Sequence, residues 1–145
     1  MGLIRMIHCL PSHIREAIQD ARLNPGATTD AVASAATQLG IEFPSDYVAL
    51  MVETDGAEFY LGESCVIFYS VQELLESNQP DVDFPKHLKC FGSNGGSEKF
   101  AFDGRSRPHP IVVVPHYRPA DGDAVVQGTS LVAFLDRVLK DEAFN

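Results

Sequence analysis

The chain has 145 residues, 45% of them hydrophobic and 9% aromatic, which fits one globular domain with a substantial core and excludes disorder over most of its length. Twenty acids against eleven Lys and Arg give a formal net charge of −9, which disfavours direct contact with the phosphate backbone of DNA or RNA. No apolar run approaches the roughly 20 residues of a membrane helix, and the N-terminal residues lack a long apolar core and a small-residue cleavage site, so the expectation is a cytoplasmic protein with no membrane partner.

Ser12 is placed to cap a first helix over residues 12–22, with Ile14, Ala17, Ile18 and Ala21 on one face and Asn24-Pro25-Gly26 as its stop. An alanine-rich second helix starts near Thr29, turns Val32, Ala35, Ala36 and Leu39 inward, and ends on Gly40 as a left-handed cap. Pro44 opens a third helix that carries Tyr47, Leu50, Met51 and Thr54 and stops at Asp55-Gly56. Two short strands follow at 58–61 and 65–69, joined at Gly62-Glu63-Ser64. Ser70 and Glu73 form a capping box for a short helix that runs to Asn78, and residues 79–85 are a loop. Strands are expected at 87–91, 98–103, 111–114 and 124–127, with the β-branched run Ile111-Val112-Val113-Val114 central rather than at an edge. Thr129 caps a closing helix whose stripe is Leu131, Phe134, Leu135, Val138 and Leu139. The order gives an α+β fold with a mainly antiparallel sheet, flanked by N-terminal helices and a C-terminal helix.

Between residues 91 and 103 a glycine-rich run invites comparison with a phosphate loop, whose backbone N–H groups converge on an anion at a helix start. Here the residues after the glycines alternate, Phe100 and Phe102 to one side, and no Gly-Lys-Ser/Thr ending or helix follows. That period belongs to a strand–turn–strand connection, in which Gly95 and Gly96 allow unusual backbone angles so that Phe100 and Phe102 enter the core. A small-molecule or nucleotide ligand on Ser93, Asn94 and Ser97 is the lesser alternative. Tyr47, Phe59, Tyr60 and Phe68 read as core or sheet packing. Cys9, Cys65 and Cys90 are odd in number and widely spaced, which fits small buried hydrophobes rather than a zinc site or a disulfide framework. His116 with Asp121 and Asp123 could hold a cation, but Asp-Gly-Asp is also a turn sequence and no fourth ligand is identifiable, so no metal is assigned. Gly62-Glu63-Ser64-Cys65-Val66 fails the serine nucleophile elbow at its last position. No catalytic residue and no cofactor is assigned, and binding rather than catalysis is the expectation.

Charge is laid out unevenly. No Lys or Arg lies between Arg22 and Lys86, an interval with eleven acids: Asp30, Glu42, Asp46, Glu53, Asp55, Glu58, Glu63, Glu73, Glu76, Asp81 and Asp83. From Lys86 to Arg118 the balance reverses, with Lys86, Lys89, Lys99, Arg105, Arg107 and Arg118 against Glu98 and Asp103. An acidic stretch of this kind can steer a basic protein partner, or can simply be a solvated surface that keeps the chain soluble.

Three segments, taken in order, carry a family resemblance. Leu39-Gly40-Ile41-Glu42-Phe43-Pro44-Ser45-Asp46-Tyr47 runs on to Thr54-Asp55-Gly56. Ile67-Phe68-Tyr69-Ser70-Val71-Gln72-Glu73-Leu74 forms a strand and short helix, and the glycine-rich turn leads into its aromatic strand. Together, and with the closing helix from Thr129, they resemble the SUKH superfamily, which includes fungal Smi/Knr cell-wall regulators and bacterial immunity proteins. The first is similar to the family's helix–Leu-Pro-x-x-Tyr–helix–Asn-Gly signature and the third to its Gly-rich turn and aromatic-x-Asp strand. Phe43 stands for the usual Leu, Asp55 for Asn, Ala57 for a frequent second Gly, and Ala36 for a common acid, so no polar contact at Ala36 carries over. The resemblance covers about residues 28–141 and leaves 1–27 as an N-terminal helical extension of a single 1–145 domain. It implies a non-catalytic α+β domain that binds proteins, most plainly an immunity protein that neutralises a polymorphic toxin through an acidic surface. A nuclease with a basic cleft is one such toxin. The alternative it implies is a Smi/Knr-type regulatory or scaffolding protein linked to cell-wall synthesis. With the charge layout, the candidate contacts are Glu42, Asp46, Glu53, Asp55 and Glu58.

Overall fold

The computed structural model describes residues 7–117, 119 and 122–144. The strands are β1 Ile18–Leu23, β2 Ala57–Leu61, β3 Ser64–Phe68, β4 Leu88–Ser93, β5 Glu98–Asp103, β6 Ile111–Pro115 and β7 Val125–Gly128; β2 and β5 alternate apolar and polar residues, whereas β6 is a continuous β-branched run. They make one seven-stranded sheet in sequence order, and every neighbouring pair is antiparallel. The helices are α1 Ser12–Arg15, α2 Thr29–Leu39, α3 Ser45–Glu53, α4 Val71–Ser77 and α5 Leu131–Leu139. Their apolar stripes meet one face of the sheet in a single core that joins Val32, Tyr47, Leu50, Leu74, Leu131 and Phe134 to Phe59, Phe68, Phe91, Phe100 and Phe102. The α+β class expected from the element order is the fold observed.

The expected first helix is corrected. Only Ser12–Arg15 is helical, and Ile18–Leu23 is a strand that pairs with β2 in the register Ile18↔Leu61 and Leu23↔Ala57. The stripe of Ile14 and Ile18 is therefore split between two elements that reach the same core. Without β1 the β2 edge would leave a row of backbone donors and acceptors unpaired, and that demand outweighs the small helix preference of a short segment. A register shift between Gln19 and Arg22, with Asp20 at φ 54, bends the edge strand and discourages sheet-to-sheet aggregation there.

The remaining boundaries follow local chemistry. Gly40 takes φ 71 and returns its N–H to α2 as expected. α3 ends before Thr54, because that fully buried side chain accepts from Asn24 N–H at 2.9 Å and donates to the Gly56 carbonyl at 2.6 Å. Both halves of the Ser70–Glu73 capping box are present, each at 3.1 Å. Ser130 rather than Thr129 caps α5, its Oγ accepting from Ala133 N–H at 3.0 Å.

Phe100 and Phe102 are fully buried, and Phe102 stacks on Phe91 at 4.2 Å between centroids while Phe100 meets Phe134 edge-on at 4.8 Å. In the turn that delivers them only Gly95 needs positive φ, at 78. The opposite sheet face carries a second, smaller core of Leu88, Cys90, Ala101, Val112 and Val114, covered by Phe84 and Ala124. This explains why Ile111–Val114 is buried on both faces although β6 lies next to the edge strand β7.

Gly92 marks the tightest approach in the sheet: a Cβ there would sit 2.1 Å from the Ile67 carbonyl oxygen. Gly92→Ala is expected to lower the unfolding free energy by about 3 kcal/mol, the upper part of the overpacking range, because the obstructing atom is backbone. Gly96→Ala, whose Cβ meets only the Asn94 side chain at 3.7 Å, is expected to stay within about 0.5 kcal/mol of the parent in urea titration.

Candidate interaction surface

Three of the five candidate acids bind the protein's own backbone. Asp46 accepts from Leu131 N–H at 3.0 Å and Val132 N–H at 2.9 Å, so that with Ser130 it satisfies the first-turn donors of α5. Asp55 accepts from Val71 N–H at 2.7 Å at the start of α4. An Asn amide oxygen could accept the same bond, so Asp in place of Asn keeps the role. Glu53 accepts from His8 N–H and, at 3.0 Å, from Cys9 N–H, holding the N-terminal segment on the end of α3. Partial desolvation and the Glu53 carboxylate push the thiol of the surface residue Cys9 up to about 11.

Glu42 and Glu58 stand apart from these. Glu42 pairs with Arg107 at 2.6 Å in water, with side chains 74% and 64% exposed, so the pair itself adds little stability. Its backbone N–H donates to Nε2 of the buried His109 at 3.1 Å, which leaves Nδ1–H to donate to the Ser106 carbonyl at 2.6 Å. The 104–110 loop is further fixed by Arg105, whose guanidinium and backbone N–H bind the Asp103 carboxylate at 2.9–3.1 Å. Glu58 is exposed on β2, and among the described residues its carboxylate makes no hydrogen bond or ion pair.

The minor ligand candidates build their own turn. Ser93 Oγ accepts from Gly95 N–H at 3.2 Å, and Asn94 Oδ1 accepts from Gly96 N–H at 3.0 Å and Glu98 N–H at 3.2 Å. Ser97 is exposed and its carbonyl accepts from His116 N–H at 2.7 Å. His116 and Asp123 are exposed, while Asp121, like Arg118, lies outside the described residues. Among the described residues no group of three His, Cys, Asp or Glu is placed to hold a metal ion. Of the cysteines expected to be buried, Cys90 is, Cys65 is half-buried and Cys9 is exposed. Among the described residues the surface has several open grooves, one of about 520 Å³ beside Asp83, Phe84, Lys86 and Pro119, and two smaller ones. One, of about 280 Å³, lies between the C-terminal ends of α2 and α4 and has Lys86 and Lys89 at its rim. The other, of about 100 Å³, runs between Glu42, Pro44 and His109.

Sequence reading missed one surface. On the face turned away from the helices, Glu58 pairs in register with Ile67 and Tyr60 with Cys65, and β1 adds Gln19 beside Tyr60 and Arg22 beside Glu58. Registered partners share a face. Tyr60, expected in the packing, is 43% exposed. The signal was the alternation Glu58-Phe59-Tyr60-Leu61, which sends Tyr60 with Glu58 and away from Phe59.

The fold defines a class: a helix-backed antiparallel meander with Glu58 and Tyr60 exposed on the sheet face turned away from the helices. Residues 26–137 match the model of the SMI1 / KNR4 family (SUKH-1), and the chain belongs to that family. Its domains are broadly of the immunity or Smi/Knr type and are in general non-catalytic. No curated protein matches the chain. No helix among the described residues is long and apolar enough to cross a membrane.

Two measurements separate folding acids from surface acids. Asp46→Ala is expected to cost about 1–3 kcal/mol in denaturant titration, the range for a lost charged cap, and Glu58→Ala less than about 0.5 kcal/mol. The Arg105 hydrogen bonds, with its charge, hold the Asp103 carboxyl below the usual carboxylate range against the opposing effect of burial. A lowered folded-state value stabilises above the unfolded value of about 4 and is lost as pH falls through the folded one. Asp103→Asn should therefore flatten the loss of melting temperature below about pH 4 relative to the parent.

Proposed function

We propose that this chain is an immunity protein: a cytoplasmic, non-catalytic domain that binds a polymorphic toxin with a basic surface, such as a nuclease, and blocks it. The observation that carries this reading is that the acidic interval is not neutralised from within. Lys86 donates to the Pro80 and Val82 carbonyls, Lys99 lies over the Phe84 ring, and Arg105 is held by Asp103. Among the described residues, Glu42 is the single one of the eleven acids in an ion pair, with Arg107. The field of the other acids is left to face an incoming partner, raising its rate of encounter and excluding nucleic acid from the same surface. Asp46, Glu53 and Asp55 contribute charge to that field while their oxygens hold the backbone; of the five, Glu58 is the member whose carboxylate is left to meet a partner directly, Glu42 being paired with Arg107.

A second reading, a regulatory or scaffolding protein of the Smi/Knr type linked to cell-wall synthesis, is favoured by the family matched. The gene next to this one separates the two. When that gene encodes a toxin, co-expression of this chain is expected to restore growth of cells producing the toxin domain. The purified complex should weaken at least tenfold between about 0.05 and 0.5 M salt. Failure to restore growth together with no detectable complex would remove the immunity role, and a neighbouring gene for wall synthesis would support the second reading.

A further inference from the structure

The sheet is covered unequally, and the uncovered half has a defined chemistry. Away from the helices, β4–β6 carry their second core beneath Phe84 and Ala124. β1–β3 present Tyr60, Ile67 and Cys65 to solvent, the first 43% exposed and the others half-buried. The glycine-rich turn borders this area, since Gly95 lies against Cys65 Sγ and Ile67 Cδ1, with a Cβ placed there 3.4 and 3.5 Å from them. Ser93 lies beside Ile67 in register, so the turn walls the patch on its β4 side.

Charge decides what fits. Glu58 stands on the patch, Glu63 at the β2–β3 connection and Asp20 on β1, all exposed, against Arg22 as the one cation of these strands. Burial first, and the nearby Glu58 carboxylate second, push the Cys65 thiol up, which places that carboxylate beside Cys65 on the patch. A second copy of this chain, meeting the patch about a twofold axis, would set the same acids against one another in a molecule that already carries −9. The occupant favoured is a different protein, with Lys or Arg side chains around an apolar contact. Tyrosine is among the residues that dominate such interfaces, because it buries a large rigid ring and still hydrogen-bonds at its rim.

The geometry points to the open face of β1–β3, with Tyr60 and Ile67 as its apolar anchor and Glu58 as its charged contact, as the docking surface for a basic protein partner. This assignment rests on the protein-binding reading above and names the surface that reading leaves unspecified. The helical face, with Glu73 and Glu76 on α4, then serves only to steer.

The test uses the full chain and, where the neighbouring gene encodes a toxin, that toxin domain. Tyr60→Ala is expected to weaken binding about 30-fold. Glu58→Lys should slow association about tenfold at low salt. Glu76→Lys, an identical charge change on α4, should leave affinity within about threefold. Parent-like melting temperatures exclude misfolding, since all three side chains are exposed. Parent-like binding by the Tyr60 and Glu58 variants, with loss in the Glu76 variant, overturns the assignment while leaving the immunity role intact. Absence of binding by the parent chain removes the immunity role instead. The face is then decided by photo-crosslinking from position 60 against position 33 on α2 in cells of the source organism. A single basic protein trapped from position 60 alone supports it, and trapping from position 33, or from neither, overturns it.

Discussion

The helix α3 is the point on which the rest of the fold turns, because carboxylates at both of its ends bind main-chain N–H groups of distant segments. Asp46 at its start takes the first turn of α5, Glu53 at its end takes residues 8 and 9, and Asp55 just beyond takes the first residue of α4. Each bond satisfies donors that a helix start or a loop leaves without a local backbone partner. α3 also sends Tyr47 into the aromatic core, where it lies 5.2 Å from Phe102 and 5.5 Å from Phe91 between centroids. One nine-residue helix thus ties the C-terminal helix, the N-terminal segment and the short α4 to the middle of the sheet.

Much of this was legible from residues alone, for physical reasons that also explain what was not. The helices α2, α4 and α5 show an apolar stripe with side-chain capping at the start, α3 a stripe opened by Pro44, and β5 a clean alternation, so local signals and tertiary demands agree there. At residues 12–23 they disagree. The spacing of Ile14, Ala17, Ile18 and Ala21 satisfies a helix, but the open edge of β2 takes Ile18–Leu23 as a strand, and nothing local records that edge. The acids were misleading for a related reason. A run of carboxylates states a net charge, but not whether each oxygen faces water or an N–H group 85 residues away, as in Asp46. The helix-start donors that Asp46 and Asp55 satisfy are visible only once α5 and α4 are placed beside α3.

The two faces of the sheet divide the labour. The helical face holds the aromatic core and accounts for stability, whereas the other face is half sealed by the 79–86 segment and half open over β1–β3. The glycine-rich stretch marks the border between them. Its Ser93 and Asn94 side chains hold the turn, which leaves its contribution to the surface one of shape rather than of ligand chemistry. The segment before residue 26, which precedes the family match, supplies β1 and so widens the open face by one strand.

The Asp46 contact to α5 has a consequence for how the protein is made. Its two partners on α5 lie 85 and 86 residues from Asp46, and the buried stripe of α5 follows all seven strands in the chain. Until residues 131–139 have left the ribosome, the aromatic core lacks Leu131, Phe134 and Leu135 and the Asp46 carboxylate has no helix to cap. Closure of that core therefore waits on α5, and a chain interrupted before α5 emerges leaves phenylalanines of the sheet uncovered.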